Sequence, residues 1–403
     1  MTQFSRRMFM GTAAAAAGVS ALPAFAQSKP VKIGVLADFS GIYTDLMGPN
    51  GVACVEQAIA DIAPGFPVEV VFGDHQNKAD IGAGITRRWF DTDGVDMLIA
   101  GPNSAVGLAA SAIAFEKNKP CLGVAVTATD FTGKQCNPNT VNWTYDGYML
   151  SKAVATETVR AGGKKWYFIT TDNAFGHSLQ AEATAFIQAA GGEVVGHSAY
   201  PIGMTDFASF LLAAQSSGAD TLGLALGGTD LLACLKQAAE FGVTDTMKTA
   251  AFVVFLNDLH AAGLDTMRNL LFTNSFYWDL NDTTRAWTER VLPKLDGSYP
   301  GMVHAGCYAV TAHYLKALAS LGVDASRADG AAVVAAMKAM ETQDDAFGAG
   351  RILSNGRAEL PAYLLQAKAP EESTAPWDLC KVISTMPAVE TVRPIAETGC
   401  SIV

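Results

Sequence analysis

Short runs of apolar and β-branched residues alternate, for most of this chain, with stretches whose apolar positions recur at helical spacing. Val31-Lys32-Ile33-Gly34-Val35-Leu36 is the first such run and breaks into a Ser-Gly loop. Further strands are expected at 68–72, 97–100, 121–124, 166–170, 193–199, 221–225, 250–254 and 270–273. Helices are expected between them at 51–63, 81–92, 105–117, 148–161, 179–190, 207–217 and 231–242. This rhythm is α/β with parallel sheets, because parallel neighbours need crossover helices. Beyond residue 280 the pattern turns helical (283–295, 303–321, 331–341). It then becomes β-like, with a hairpin at Asn355-Gly356 flanked by 351–353 and 363–366.

More strands than one doubly wound sheet holds comfortably imply two lobes. Three segments are candidates for crossing between them: 143–146, 273–276 and the Gly-rich 346–350. Both lobes would then be discontinuous, with 27–144 plus 276–346 in the first and 145–275 plus 347–403 in the second. No internal repeat interrupts this organisation.

The start of the chain changes the picture. Ser5-Arg6-Arg7-Met8-Phe9-Met10 is a twin-arginine pattern, followed by an uncharged alanine-rich stretch and a small-x-small exit at Ala24-Phe25-Ala26. Residues 1–26 are expected to be an export signal. The apolar stretch is shorter than the ~20 residues a bilayer span needs, and Gly11, Gly18 and Pro23 interrupt it.

The net charge is −11, and removal of Arg6 and Arg7 makes the rest more acidic still. Such a chain is a poor partner for nucleic acid or anionic membrane surfaces. Seven cysteines are scattered, with no CxxC and no zinc spacing. Cys54, Cys121, Cys234 and Cys307 lie in apolar runs. Cys136 and Cys400 lie in polar loop sequence and are candidates for a bridge in an oxidising compartment, with Cys380 as a rival partner.

Enzymatic constellations do not emerge. Gly101 to Gly107 reads GxxSxxG rather than the GxSxG of a nucleophile elbow, and no phosphate-cradling GxxxxGK[ST] occurs. The six histidines are isolated. The expectation is a non-catalytic protein without metal or cofactor.

What remains is a set of strand-end loops rich in small polar and aromatic residues. They hold Asp38, Ser40 and Tyr43; Asn103 and Ser104; Ala125 and Thr127; Asn173 and Phe175; Gly227, Gly228 and Thr229; and Phe255. In open α/β sheets ligands bind outside the carboxyl ends of strands, where helix N-termini present free N–H groups.

Over essentially all of residues 27–403 the chain resembles the solute-binding proteins of ABC transporters, of the leucine/isoleucine/valine-binding type. The resemblance rests on Ile33-Gly34-Val35-Leu36 with Ser40-Gly41, Gly101-Pro102-Asn103-Ser104, Thr144-Tyr145-Asp146 and Thr171 to Gly176. It continues through Lys236 to Gly242, Phe347-Gly348, and Ile352 with Asn355-Gly356-Arg357. It implies a two-lobed type I periplasmic-binding-protein fold, each lobe a mostly parallel sheet flanked by helices, joined by three crossover segments. It also implies a periplasmic, monomeric receptor that hands a small solute to an inner-membrane ABC permease. By position, Asn103, Ser104 and Ala125 to Thr127 would hold a ligand carboxylate through N–H and hydroxyl donors, and Phe175 would close over the ligand.

Two departures bear on the solute. Where amino-acid binders place an aromatic and an acid from the second lobe, this chain has Gly227-Gly228 and the acid-free stretch 251–255. A buried ammonium without a carboxylate partner is costly. The expected solute is therefore a carboxylate lacking an α-amino group, with an apolar or aromatic body. Tyr43, Tyr145, Phe175, Phe255, Tyr277 and Trp278 are candidates to flank it. The alternatives are a branched-chain amino acid whose ammonium meets Asp230 or Asp258, and a ligand-sensing receptor of a signalling system on the same fold.

Overall fold

The computed structural model describes residues 29–402 apart from 269, so the expected export signal lies outside the described residues. Val31–Ala37 (β1) is VKIGVLA and is buried on both faces, as a near-continuous apolar run in a parallel sheet should be. It lies between Val68–Asp74 (β2) and Met97–Ala100 (β3), and Cys121–Gly123 (β4) and Thr140–Asn142 (β5) extend the sheet in the order β2-β1-β3-β4-β5. Ile33, Val35 and Leu36 are fully buried, each worth about 1.5–3 kcal/mol of burial.

The second sheet is also parallel. Lys165–Thr171 (β6), Glu193–Tyr200 (β7), Thr221–Ala225 (β8) and Lys248–Ala251 (β9) run in the order β7-β6-β8-β9. Trp166, Phe168 and Phe252 stack at centroid spacings of 5.9 and 5.8 Å beneath it. Leu271–Asn274 (β10) borders β9.

The late strands differ from the sequence reading. Thr342–Asp344 (β11), Gly348–Ile352 (β12) and Ala358–Glu359 (β13) form one antiparallel set, so the hairpin at Asn355-Gly356 pairs β12 with β13. The expected partner, 363–366, lies instead in Ala362–Ala367 (β14), between β10 and Cys380–Met386 (β15). Neither β5 nor β15 was expected. β5 is short and polar, and it is held by side-chain bonds that a pattern does not reveal. Ser111 and Thr140 share a hydroxyl bond of 2.7 Å, and Asn142 Nδ2 donates to the carbonyls of Val126 and Tyr145 at 2.9 and 3.1 Å.

Strands β11 and β12 pack on the first-lobe helices Met302–Leu321 and Gly330–Ala339, and Lys338 Nζ donates to the Ser354 carbonyl at 2.8 Å. We therefore place the third crossing after Glu359 rather than at 346–350. The tail returns as well: a disulfide joins Cys400 to Cys136 in the loop between β4 and β5, and Cys380 is a buried free thiol.

The first crossing and the approach to the third meet at Arg357, which is buried among carbonyls. Its guanidinium donates to Trp143 O and Ala358 O at 2.7 Å each and to Asp146 Oδ2 at 3.2 Å. Asp146 also caps the second-lobe helix Gly147–Arg160, accepting from Met149 N at 3.0 Å. One ion pair thus fastens the first crossing to the approach of the third.

Candidate functional site: the interlobe cleft

The carboxyl ends of both parallel sheets face each other, and the loops leaving them form two walls. In the first wall, Asp38 at the end of β1 organises the following loop. Its carboxylate accepts from Gly41 N at 2.7 Å, Tyr43 N at 3.0 Å and Asn77 Nδ2 at 2.5 Å. The curl carries the Tyr43 ring toward the second lobe and sends Ser40 outward, where its hydroxyl donates to Asp74 at 2.6 Å. Ser40 is exposed and belongs to this outer contact.

After β3 the chain passes Gly101, where a Cβ would lie 1.9 Å from the Val124 carbonyl, so only glycine fits. His75 braces this turn, with Nε2 3.1 Å from the Gly101 carbonyl. Asn103 then caps the helix Ser104–Glu116 by accepting from Val106 N at 3.1 Å. Helix geometry leaves the amides of Ser104 and Ala105 without an intrahelical acceptor.

The loop after β4 leans on that helix start. Ser104 Oγ accepts the amides of Thr127 and Ala128, each at 3.1 Å. Ala125 sits at φ 71°, a left-handed conformation costly for a residue with a Cβ, and its amide donates to Thr144 Oγ1 at 3.1 Å. The amides of Ala125 and Thr127, expected as ligand donors, are thus already engaged within the first lobe. The Tyr145 hydroxyl is buried, which raises its phenol, and the Thr127 side chain acts against that rise.

The second wall is built by β6, β8 and β9. Asn173 caps the helix Ala174–Ala189 through Gly176 N at 3.0 Å and brings Phe175, half-buried, to the cleft. The helix Gly228–Glu240 begins at Gly227 with no side-chain cap, and Thr229 is exposed. A Cβ on Gly227 would meet only Phe175, Val253 and Phe255, at 3.7–4.0 Å. A Cβ on Gly228 would instead lie 3.2 Å from Tyr43 Cε1. Space opposite Gly228 is therefore taken by the first lobe's own tyrosine, whereas the surround of Gly227 is apolar and would admit a Cβ at ordinary contact distances.

Phe255 stands 6.3 Å from Tyr145, centroid to centroid. Trp278 is turned elsewhere: it stacks edge-on with Tyr299 at 4.8 Å and donates to Trp377 O at 2.9 Å. Tyr277 likewise reaches toward the Trp377 carbonyl and the Cys380 amide.

These walls come together in a two-lobed α/β arrangement whose strand-end loops meet face to face, with Tyr43 packed on Gly228, and known proteins share it. Residues 30–373 match the family described as periplasmic binding protein. The chain belongs to the periplasmic binding protein family.

A periplasmic binding protein from Burkholderia mallei is 40% identical over 93% of this chain and 99% of its own, with a TM-score of 0.89. A branched chain amino acid ABC transporter periplasmic ligand-binding protein from Burkholderia xenovorans LB400 is 33% identical over 92% of this chain and 99% of its own, at a TM-score of 0.81. An ABC transporter solute binding protein from R. palustris, solved in complex with benzoate, shares the fold at 19% identity and a TM-score of 0.81, covering 93% of this chain and 100% of its own. No protein with a curated description matches. This periplasmic binding protein is thus a solute-binding component of the ABC transporter class, whose members bind small molecules and work with a permease. Among the described residues no helix is long and apolar enough to cross a membrane, and no cluster of side chains could hold a metal ion.

Electrostatics in the cleft of this binding protein rest on acids rather than bases. The sequence leaves 251–255 without an acid, but the structure brings one to that wall. Asp258 folds back over the first turn of the helix Leu256–Ala262 and accepts from Phe255 N at 2.9 Å. Burial raises its carboxyl to about 7, against the Phe255 hydrogen bond, with the Asp45 charge adding to the rise. It lies within electrostatic reach of Tyr43 and Tyr145, whose phenols burial keeps firmly protonated. A helix turn creates this placement: the acid lies three residues past Phe255, outside a strand-based alignment. Asp230, by contrast, is spent on structure, accepting from Gly203 N at 2.9 Å and Tyr200 Oη at 3.1 Å.

Proposed function

We propose that this protein, exported by the twin-arginine route and acting as a monomer, captures a small organic acid with an apolar, aromatic body. The observation that carries the reading is the apolar surround of Gly227, where a tyrosine-sized side chain is missing. This glycine is ringed by Phe175, Val253 and Phe255 and lies at a helix start with no side-chain cap. The amides of Ser104 and Ala105 at the opposite helix start would receive the carboxylate. No lysine or arginine stands in these loops, so helix-end N–H groups would hold the anion and salt dependence would be modest. The benzoate bound by the R. palustris protein of the same fold is a ligand of this class.

A second reading has its own observation. Asp258 is a buried acid without a cationic neighbour among the contacts that shift its ionisation. An α-ammonium would supply that partner, and the B. xenovorans relative is described as belonging to a branched chain amino acid transporter.

A thermal-shift screen on protein refolded to strip bound solute separates the two. Benzoates and phenylpropanoid acids are compared with leucine, isoleucine and valine, in the natural chain and in Asp258→Asn. A ligand at ~1,000 times its Kd stabilises by about 4 kcal/mol. A response to aromatic acids that survives Asp258→Asn supports the first reading. A response to amino acids that Asp258→Asn abolishes replaces it with the second.

A further inference from the structure

The C-terminal tail links the lobes a fourth time. Residues 388–393 belong to the second lobe: Lys152 Nζ donates to the Glu390 carbonyl at 2.8 Å, and Thr391 Oγ1 donates to the Leu360 carbonyl at 2.7 Å. Arg393 pairs with Glu182 on the helix Ala174–Ala189 and lies over the Tyr148 ring at 5.2 Å. Seven residues later Cys400 is bonded to Cys136 of the first lobe, and a Cβ on Gly133 there would lie 2.8 Å from the Thr398 carbonyl. Between these anchors the chain is compact, with Ile395–Glu397 in one 3₁₀ turn.

The segment flanks the hinge. Together with Asp146, Asn355 and Arg357 it lines a cavity of about 470 Å³ that also has walls from both lobes, at Thr129 and Ser178. Across it Thr129 N donates to Ser178 Oγ at 3.1 Å and Thr129 Oγ1 donates to Glu182 Oε1 at 3.2 Å. Separation of the lobes breaks these two bonds. Arg393 stays with the second lobe and Cys400 stays with the first, so the segment between them must absorb the whole displacement.

We propose that residues 394–400, closed by the Cys136–Cys400 disulfide, form a strap that limits how far the two lobes open. The slack is small. Straightening the 3₁₀ turn, from ~2 Å to ~3.4 Å of rise per residue, releases only about 4 Å. Beside the hinge that length allows a modest rotation and then arrests it, keeping the empty receptor near its capturing geometry. The strap acts by connectivity alone and is independent of which solute the cleft takes.

The test is small-angle X-ray scattering of ligand-free protein, with amide exchange at Thr129. Two variants are compared with the natural chain. Cys136→Ser/Cys400→Ser cuts the strap, and a four-residue Gly-Ser insertion between Thr398 and Gly399 lengthens it with the disulfide kept. The expected result is a larger radius of gyration and faster Thr129 exchange in both variants, with circular dichroism unchanged. Should the serine variant lose its fold, the insertion variant alone decides. Scattering and Thr129 exchange indistinguishable from the natural chain in the folded insertion variant would overturn the proposal.

Discussion

The Tyr43 ring of the first lobe is seated against the backbone of Gly228 in the second, so closely that a Cβ there would stand 3.2 Å from Cε1 and 3.3 Å from the Ile42 carbonyl. Gly228 also adopts φ +62°. The pair makes lobe closure depend on a missing side chain, and its neighbour Gly227, at φ −156°, plays a different part.

Gly228→Ala should lower stability by about 1–2 kcal/mol, the cost of a left-handed alanine, before the push on Tyr43 is added. Gly227→Ala, which meets only ordinary contacts, should leave stability within about 0.5 kcal/mol and act on ligand affinity alone. Thermal unfolding with and without the ligands found by the screen checks both. Equal stability losses in the two variants would mean that the glycines have no separate roles.

Ser104→Ala removes the one hydroxyl that accepts the Thr127 and Ala128 amides. Buried amides left without an acceptor cost about 1–3 kcal/mol. Urea denaturation should show that loss, and hydrogen exchange should localise it to these two amides.

Arg357→Met leaves Asp146 buried without its cation and frees the Trp143 and Ala358 carbonyls. Breaking one side of a buried pair costs about 3–5 kcal/mol. The double change Arg357→Met with Asp146→Asn should recover part of it while keeping the cap on Met149 N. A single-variant loss below 1 kcal/mol by urea denaturation would show that the hinge does not rely on this pair.

Asp258 makes stability fall as pH rises. Its folded value of about 7 lies above the ordinary carboxylate range, so the folded form holds the proton that the unfolded form releases from about pH 4. His304 acts in the opposite direction. Burial lowers its imidazole to about 4, so the unfolded form takes up a proton first and stability is lost as pH falls through 6.5 toward 4. The Tm difference between Asp258→Asn and the natural chain should therefore grow from pH 4 to pH 7 and level off above. For His304→Gln the difference should grow from pH 6.5 down to pH 4. A parallel offset at all pH values would show that neither group titrates between folded and unfolded forms.

Much of the architecture is readable along the chain because it rests on local periodicity. The runs at β1, β3, β6 and β8 are apolar enough to be buried on both faces, and their spacing with amphipathic helices requires parallel crossovers. The strand-end loops follow from that topology, but the caps do not: Ser104 and Thr229 are the residues the pattern suggests, whereas Asn103 caps one helix and the other starts at Gly227 with no side-chain cap. The chain by itself therefore determines a two-lobed α/β protein with its candidate site at the carboxyl ends of the strands.

Contacts between segments far apart in sequence were decided only by the tertiary structure. β5 is held by Ser111 and Asn137, and β14 chooses β10 and β15 over the nearer hairpin partner. Tyr43 fills the space that Gly228 vacates, Trp278 turns to Trp377, and Asp258 reaches the cleft by folding back over one helical turn. Each outcome is a competition among partners for the same hydrogen bond or the same volume. Periodicity reports which face of an element is buried. It carries no information about which distant side chain arrives to bury it.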